Sequence, residues 1–111
     1  MKMTRFQLVL LDEAKEFLYA LPPRVYKKIL YNIHRVAGGE MDAELFKKLE
    51  NSEIWEFRTL YEKTAYRLLA FWDTTRGTLV VATHGIVKKT QRTPAKEIAK
   101  AERIRSRYFR E

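Results

Sequence analysis

The chain has 111 residues, a common size for one domain around one hydrophobic core. A hydrophobic fraction of 46%, with two Trp, six Tyr and six Phe, excludes a wholly disordered chain. The lack of cysteine excludes disulfides and thiolate metal sites. No apolar stretch approaches the roughly 18 residues that a membrane span needs, and no secretory leader is recognisable, so we expect a cytoplasmic protein.

The positive charge is concentrated towards the carboxyl end. Of the net charge of +8, most comes from the part beginning at Ile86, which has nine Lys and Arg against three Glu. The first 85 residues have 13 basic and 11 acidic side chains. This distribution is typical of a protein that binds a polyanion, and we predict a nucleic acid. The alternative is a tail that serves solubility.

The chain begins with a predicted strand and two predicted helices. Residues 5–11 are β-prone and predict the strand. Asp12 is a good N-cap for the helix that follows. The apolar residues of this helix fall on one face: Ala14, Phe17, Leu18 and Leu21. Pro22 and Pro23 separate it from the second helix, because proline disfavours helix at the residue before it and is favoured at the first helical position.

The second helix has a broad apolar stripe, and Gly38-Gly39 predict its end. The stripe consists of Val25, Tyr26, Ile29, Leu30, Ile33, Val36 and Ala37. Two antiparallel helices of this kind need a sheet to cover their apolar faces. Residues 40–52 predict a connection, either a short helix or a turn, with three apolar anchors: Leu45, Phe46 and Leu49.

Three β segments follow, over 54–60, 65–73 and 78–87, separated by turns so short that the strands must pair antiparallel. Thr93-Pro94 predicts an N-cap followed by proline at the first helical position. Residues 95–108 predict a basic helix. The order β-α-α-β-β-β-α defines a single α+β domain over 1–111, with an antiparallel sheet on two helices and a basic C-terminal helix.

The hairpin turns predict which side chains share a face of the sheet. If the first turn is symmetric about 62–63, Arg58 lies opposite Arg67. If the second is symmetric about 75–76, Arg67 lies opposite His84. Because side chains alternate between faces, one face then carries Glu56, Arg58, Arg67, His84 and Lys88. The helices cover the other face, which carries Trp55, Phe57, Tyr66, Leu68, Ala70 and Trp72. A bulge would change this assignment.

Two arginines directly opposite each other repel, so a fold alone does not require the pair. A phosphate-binding site does, since the guanidinium fork matches phosphate oxygens. The alternative is that Glu56 neutralises one arginine while the other reaches solvent. His84 titrates near neutrality and is a candidate base beside these cations, although a packed histidine is the common alternative.

Basic residues also fill the stretch that leads into the last helix. Lys88, Lys89, Gln91 and Arg92 supply donors for phosphate, together with the helix N-terminus itself. The alternative is an exposed basic turn.

Three segments carry a resemblance to a known family: WEFR at 55–58, YRLL at 66–69 and THGIVKKTQRTP at 83–94. Together with the two helices near the start, they resemble the phage-derived HigB-like branch of the RelE/ParE toxin superfamily. The similarity extends over nearly the whole chain.

The resemblance implies the toxin of a type II toxin–antitoxin system. Such toxins enter the ribosomal A site and cut mRNA there without a metal or other cofactor. The implied partners are ribosome-bound mRNA, ribosomal RNA and a helix-turn-helix antitoxin; operator DNA is bound only through the antitoxin complex. The implied catalytic residues are Arg58, Arg67, His84, Lys88 and Lys89, with His84 or Glu56 as base. The implied RNA-binding residues are Gln91, Arg92, Lys96, Lys100 and Arg103.

Other functions remain open at this stage. A ParE-like gyrase poison would share the fold but would not need the arginine pair. A non-catalytic nucleic-acid-binding module would keep the basic end, although it should interleave exposed aromatics with the charges. The superfamily also implies a C-terminal tyrosine in some sites, but Tyr108 lies far along the last helix and receives no such role. An inactive copy of the toxin is the remaining alternative.

Overall fold

The structure is a computed structural model that describes residues 5–88 and 92–111. The helices are α1 (Asp12–Tyr19), α2 (Pro23–Ala37) and α3 (Ala95–Arg110). The strands are β1 (Gln7–Leu10), β2 (Phe46–Lys48), β3 (Trp55–Tyr61), β4 (Thr64–Asp73) and β5 (Leu79–Lys88). None of the helices in these ranges has the length and apolar character needed to cross a bilayer.

The predicted α+β class is confirmed, but the sheet has one strand more than predicted and is mixed, not wholly antiparallel. The strand order is β1-β5-β4-β3-β2, and β1 pairs parallel with β5 while the other pairs are antiparallel. The connection predicted over 40–52 contains the expected turn, at residues 43–45, but residues 46–48 form an edge strand, β2, that was not predicted. Phe46 pairs with Phe57 there, and its ring stacks on that of Trp55.

The helix ends follow the prolines and glycines but not the predicted side-chain caps. Pro23 is the first residue of α2, as predicted, and Gly38 is its C-cap, followed by Gly39 at φ +104°. The N-cap predicted at Asp12 is wrong: Asp12 is the first helical residue, and Leu11 precedes it without a side-chain cap. The carboxylate of Asp12 still lies at the positive end of the helix dipole.

The sheet has an apolar core on each face. The helices α1 and α2 cover one face, where Leu18 and Ile29 pack with Phe57 and Leu68. The helix α3 lies over part of the other face, with Ala101 packed on a cluster that includes Phe71. The C-terminal helix is therefore attached directly to the face that was predicted to carry the charged residues.

The predicted register is right for one hairpin and wrong for the other. Arg58 pairs with Arg67, as the symmetric turn at 62–63 predicts. In the second hairpin Arg67 pairs with Ile86, and His84 pairs with Leu69. The difference has two sources: the loop spans 74–78, one residue more than predicted, and Thr83 is left unpaired in a β-bulge. Each source shifts the pairing by one residue. Because the total shift is two residues, His84 and Lys88 stay on the face that was predicted for them.

Gly85 is required by the way α1 packs on β5. A Cβ atom at this position would lie 2.1 Å from Cδ2 of Phe17. We expect Gly85→Ala to lower the free energy of unfolding by about 1–3 kcal/mol, because the added methyl overpacks this contact. Urea unfolding of Gly85→Ala, Phe17→Leu and the double variant should show that Phe17→Leu makes the glycine change less costly. Additive losses would contradict the contact as the cause.

Candidate active site

The centre of the site is a buried carboxylate between two arginines. Arg58 and Arg67 occupy paired positions on β3 and β4, and Glu56 lies two residues before Arg58 on the same face. Oε2 of Glu56 is 3.6 Å from Nε of Arg58 and 3.6 Å from Nε of Arg67. One carboxylate oxygen therefore balances both guanidinium groups, which makes the repulsive arginine pair tolerable within the sheet.

The second oxygen of Glu56 is held from the C-terminal segment. Oε1 accepts a hydrogen bond from the hydroxyl of Thr93, which is buried. The N-cap predicted at Thr93 is wrong, because Pro94 occupies that position and α3 begins at Ala95. The hydroxyl donates to Glu56 across the sheet face, and it is not the acceptor that caps the helix.

The cations of this site exceed the anions. Arg67 and Lys88 are each about 95% buried, and Arg58 is largely buried. Among the described residues, Arg67 Nε and Lys88 Nζ have no hydrogen-bond partner within bonding distance. Burial lowers the pKa of Lys88, and the neighbouring charge of Arg67 lowers it further. Three cations facing one carboxylate form a site that is electrostatically incomplete without an anion.

Arg58 and Glu56 border an open polar cavity. The cavity has a volume of about 250 Å³ and is bounded by β2, β3 and the start of α3. Its charged and polar walls include Lys47, Glu56, Arg58, Arg92 and Thr93. Arg58 also donates from Nη1 to the carbonyl of Ala43 at 3.2 Å, which restrains its side chain. An anion can reach the guanidinium group of Arg58 from solvent at this point, with Arg67 at the paired position behind it.

His84 lies on the predicted face but in a different place from the arginines. Its Nδ1 is 2.9 Å from the hydroxyl of Thr83, and its Nε2 is 3.0 Å from Oε1 of Glu97 on α3. Its side chain lines a separate cavity between α1, β5 and α3. The pairing of His84 with Arg67 is wrong, and burial, not the arginines, is the main cause of its lowered pKa.

This environment gives the folded protein a dependence on pH. Burial lowers the pKa of His84 below its usual 6.5. As the pH falls through 6.5, the unfolded chain therefore binds a proton at His84 before the folded chain does. We expect the free energy of unfolding to fall as the pH drops from about 7 to about 5.5. Urea unfolding across this window should show the slope in wild type and a flatter response in His84→Gln. The exposed His34 provides the control: His34→Gln should retain the slope, and loss of the slope there would contradict the assignment.

The predicted RNA-binding residues in and before α3 have different surroundings. Arg92, Lys96 and Arg103 are exposed and free to meet a polyanion. Lys100 Nζ lies 2.7 Å from Oε2 of Glu13, so it helps to tie α3 to α1, and this contact lowers the pKa of Glu13. Lys89 and Gln91 lie outside the described residues.

Tyr108 has a structural place at the far end of α3. Its hydroxyl donates to Oδ2 of Asp73 at 2.6 Å, and its ring meets that of Phe71 edge-on. The hydrogen bond to Asp73 raises the pKa of Tyr108. These contacts agree with the prediction from sequence, which gives Tyr108 no catalytic role.

Sequence patterns did not reveal the tertiary partners of the site. The Thr93–Glu56 bond joins residues 37 positions apart, and no local spacing signals it. No local spacing signals the Glu97–His84 contact either. The sequence shows only that Glu97 is an acidic residue in the first turn of the helix. Within the described ranges, no cluster of three or more His, Asp or Glu side chains is arranged to hold a metal ion.

The comparisons with known proteins agree with this architecture. The profile of the phage-derived Gp49-like protein family (DUF891) matches residues 16–106. This chain belongs to that family. The resemblance to the phage-derived branch of the RelE/ParE superfamily is thereby confirmed.

Solved structures share the fold at low sequence identity. A chain of the toxin–antitoxin complex RelBE2 from Mycobacterium tuberculosis matches with a TM-score of 0.51 and 22% identity, over 80% of this chain and 98% of that one. A chain of the intact E. coli RelBE toxin–antitoxin complex matches with a TM-score of 0.53 and 16% identity, over 78% of this chain and 99% of that one. A comparison with curated protein sequences gives no significant match.

Proposed function

We propose that this protein is the toxin of a type II toxin–antitoxin system and that it cleaves mRNA on the ribosome. Membership of the Gp49-like family and the fold shared with chains of two RelBE complexes support the class. The observation that carries the chemistry is the Arg58–Arg67 pair, held by Glu56 beside an open cavity. Neither DNA gyrase inhibition nor passive binding requires this arrangement.

The reaction transfers a phosphoryl group within the RNA. A ribose 2′-oxygen attacks the adjacent phosphorus, the bond from phosphorus to the 5′-oxygen breaks, and a 2′,3′-cyclic phosphate and a 5′-hydroxyl form. Negative charge grows on the phosphoryl oxygens in the transition state. Arg58 and Arg67 stabilise this charge, because cations held in place by burial and by Glu56 act with little reorganisation. The chemistry needs no metal ion.

Lys88 is the residue best placed to move a proton. It is buried beside Arg67, and its lowered pKa makes its ammonium group a better acid than an ordinary lysine. In this mechanism Lys88 donates a proton to the departing 5′-oxygen. Lys89 and Gln91 follow in the chain and remain candidates for supporting the phosphate and orienting the RNA.

Abstraction of the 2′-proton is the step with the least support from this chain. Both ring nitrogens of His84 are engaged, and both oxygens of Glu56 have partners within the site. Neither is a free base in the described part of the chain. A toxin of this kind depends on the ribosome to orient the 2′-hydroxyl and supply the missing group.

The partners follow from the same proposal. The exposed Arg92, Lys96 and Arg103 would contact ribosomal RNA, and Lys100 would contribute if its pair with Glu13 opens. A cognate antitoxin, expected to be a helix-turn-helix protein, would neutralise the toxin, and operator DNA would be bound through that complex. The proposed location is the cytoplasm, where the mRNA is translated.

The decisive experiment maps the 5′ ends of mRNA in ribosomes purified after expression of the protein. We expect arrest of growth and new 5′ ends within the A-site codon. Intact mRNA with inhibited gyrase would instead support the gyrase poison. Intact mRNA and active gyrase would leave only a binding module or an inactive copy, and cleavage of free RNA alone would contradict ribosome dependence.

A further inference from the structure

We propose that Thr93 is a positioning residue that sets the orientation of the Glu56 carboxylate and, through it, of the two arginines. The inference rests on the proposed cleavage reaction for its effect on rate. It assigns a role to a residue outside the predicted catalytic and RNA-binding sets.

The geometry gives each oxygen of Glu56 a separate task. Oε1 accepts the hydrogen bond from the Thr93 hydroxyl, while Oε2 lies 3.6 Å from Nε of both Arg58 and Arg67. A carboxylate shared in this way engages each guanidinium group only near its Nε. Of the terminal nitrogens, Nη1 of Arg58 donates to the carbonyl of Ala43 and Nη1 of Arg67 donates to that of Tyr66. Glu56 therefore leaves Nη2 of each arginine for an oxygen of the phosphate.

Without the hydrogen bond from Thr93, the carboxylate of Glu56 would favour a different arrangement. An unconstrained carboxylate near an arginine favours the bidentate pair, in which both oxygens bind one guanidinium group. Such a pair would occupy the nitrogens that the phosphate needs and would leave the other arginine unbalanced. The Thr93 hydroxyl prevents this rotation by holding Oε1, because a buried oxygen that lost its donor would seek a new one.

The position of Thr93 is itself fixed by the docking of α3. Thr93 is buried, and Pro94 and the first turn of α3 follow it immediately. Ile98 and Ala101 anchor this helix in the second core. Pro94 occupies the N-cap position, so Thr93 lies one residue before it, where its hydroxyl donates to Glu56. Docking of the C-terminal helix is therefore linked to the alignment of the arginine pair through Thr93 and Glu56.

The test compares Thr93→Val, which keeps the shape and removes the donor, with Thr93→Ser, which keeps the donor. Steady-state cleavage on ribosomes should show kcat lowered about 10- to 100-fold in Thr93→Val, with KM changed by no more than about threefold. A small misplacement of catalytic groups affects the chemical step. Thr93→Ser should retain kcat within about threefold of wild type.

Thr83→Val is the matched control, since it also removes a buried hydroxyl from the sheet, but beside His84. It should cleave at the wild-type rate. Equal losses in Thr93→Val and Thr93→Ser, or an unchanged Thr93→Val, would overturn the inference while leaving the proposed function intact.

A measurement without RNA separates the two proposals. The side-chain NMR signals of Nε–Hε in Arg58 and Arg67 should shift in Thr93→Val and stay near their wild-type positions in Thr93→Ser and Thr83→Val. If wild type failed to cleave mRNA while these shifts appeared, the positioning contact would stand and the proposed function would fall. Unchanged arginine signals in Thr93→Val would overturn the contact itself.

Discussion

Replacing Arg67 with alanine should lower the rate of A-site cleavage by about 10²- to 10³-fold and should relieve the arrest of growth. The guanidinium group is fixed by burial and by Glu56, so its loss removes charge stabilisation that solvent cannot replace. The variant should stay folded, because Glu56 keeps Arg58 and Thr93 as partners. Quantitative mapping of 5′ ends, with circular dichroism of the purified variant, measures both effects.

Arg107→Ala is the matched control for the change of net charge. Arg107 is exposed on the last turns of α3, so its removal lowers the charge of the protein by the same amount without touching the site. Its cleavage rate should stay within about threefold of wild type, as expected for a surface contact that is screened by salt. A similar loss in both variants would mean that general basicity, not a positioned arginine, governs the activity.

Replacing Glu56 with alanine should have the largest effect on stability. Removal of the carboxylate leaves Arg58 and Arg67 facing each other across the hairpin without an anion, and it deprives Thr93 of its acceptor. Breaking a buried ion pair on one side costs about 3–5 kcal/mol of unfolding free energy. Urea unfolding monitored by tryptophan fluorescence measures the loss.

A second change identifies the source of that loss. If uncompensated charge is the cause, adding Arg67→Met to Glu56→Ala should recover part of the lost stability, whereas independent effects would make the double variant the least stable of the set. Inorganic phosphate should also stabilise Glu56→Ala, because an anion that binds the folded state shifts the equilibrium towards it. A loss below about 1 kcal/mol for Glu56→Ala would contradict the central place of this carboxylate.

The first hairpin was predictable from sequence because its turn is symmetric and short. Glu62 and Lys63 occupy the two central positions with positive φ angles of 48° and 66°, so residues pair about their midpoint and Arg58 meets Arg67. The second hairpin was not predictable in register. Its five-residue loop and the bulge at Thr83 have no unique sequence signature, and only their combined even shift kept His84 and Lys88 on the right face.

Two other features that sequence did not predict depend on distant partners. The strand Phe46–Lys48 has only three residues, and it exists because β3 offers its edge. Thr93 has the right chemistry for a helix cap, but Pro94 is the N-cap and the Thr93 hydroxyl donates to Glu56 instead. Local propensity is a weak guide where a buried acceptor from another element is within reach.

The basic carboxyl end is less uniform than its composition suggests. Lys88 is buried with the arginines, Lys100 is paired with Glu13, and Arg105 lies over the ring of Phe109. Composition correctly located the excess charge, but only the fold separates the cations of the site from those that hold α3 and those that face solvent.

The unpaired Thr83 has a consequence for how β5 can change in evolution. Because Thr83 is a surplus residue between Ala82 and His84, a chain without it could keep every remaining pair with β4 in place. Deletion at this point would remove one hydroxyl but would leave Ile86 opposite Arg67 and Lys88 opposite Ala65. Relatives that differ by one residue here can therefore share the same arginine face, whereas a similar gap between Gly85 and Lys88 would turn the lysine away from it.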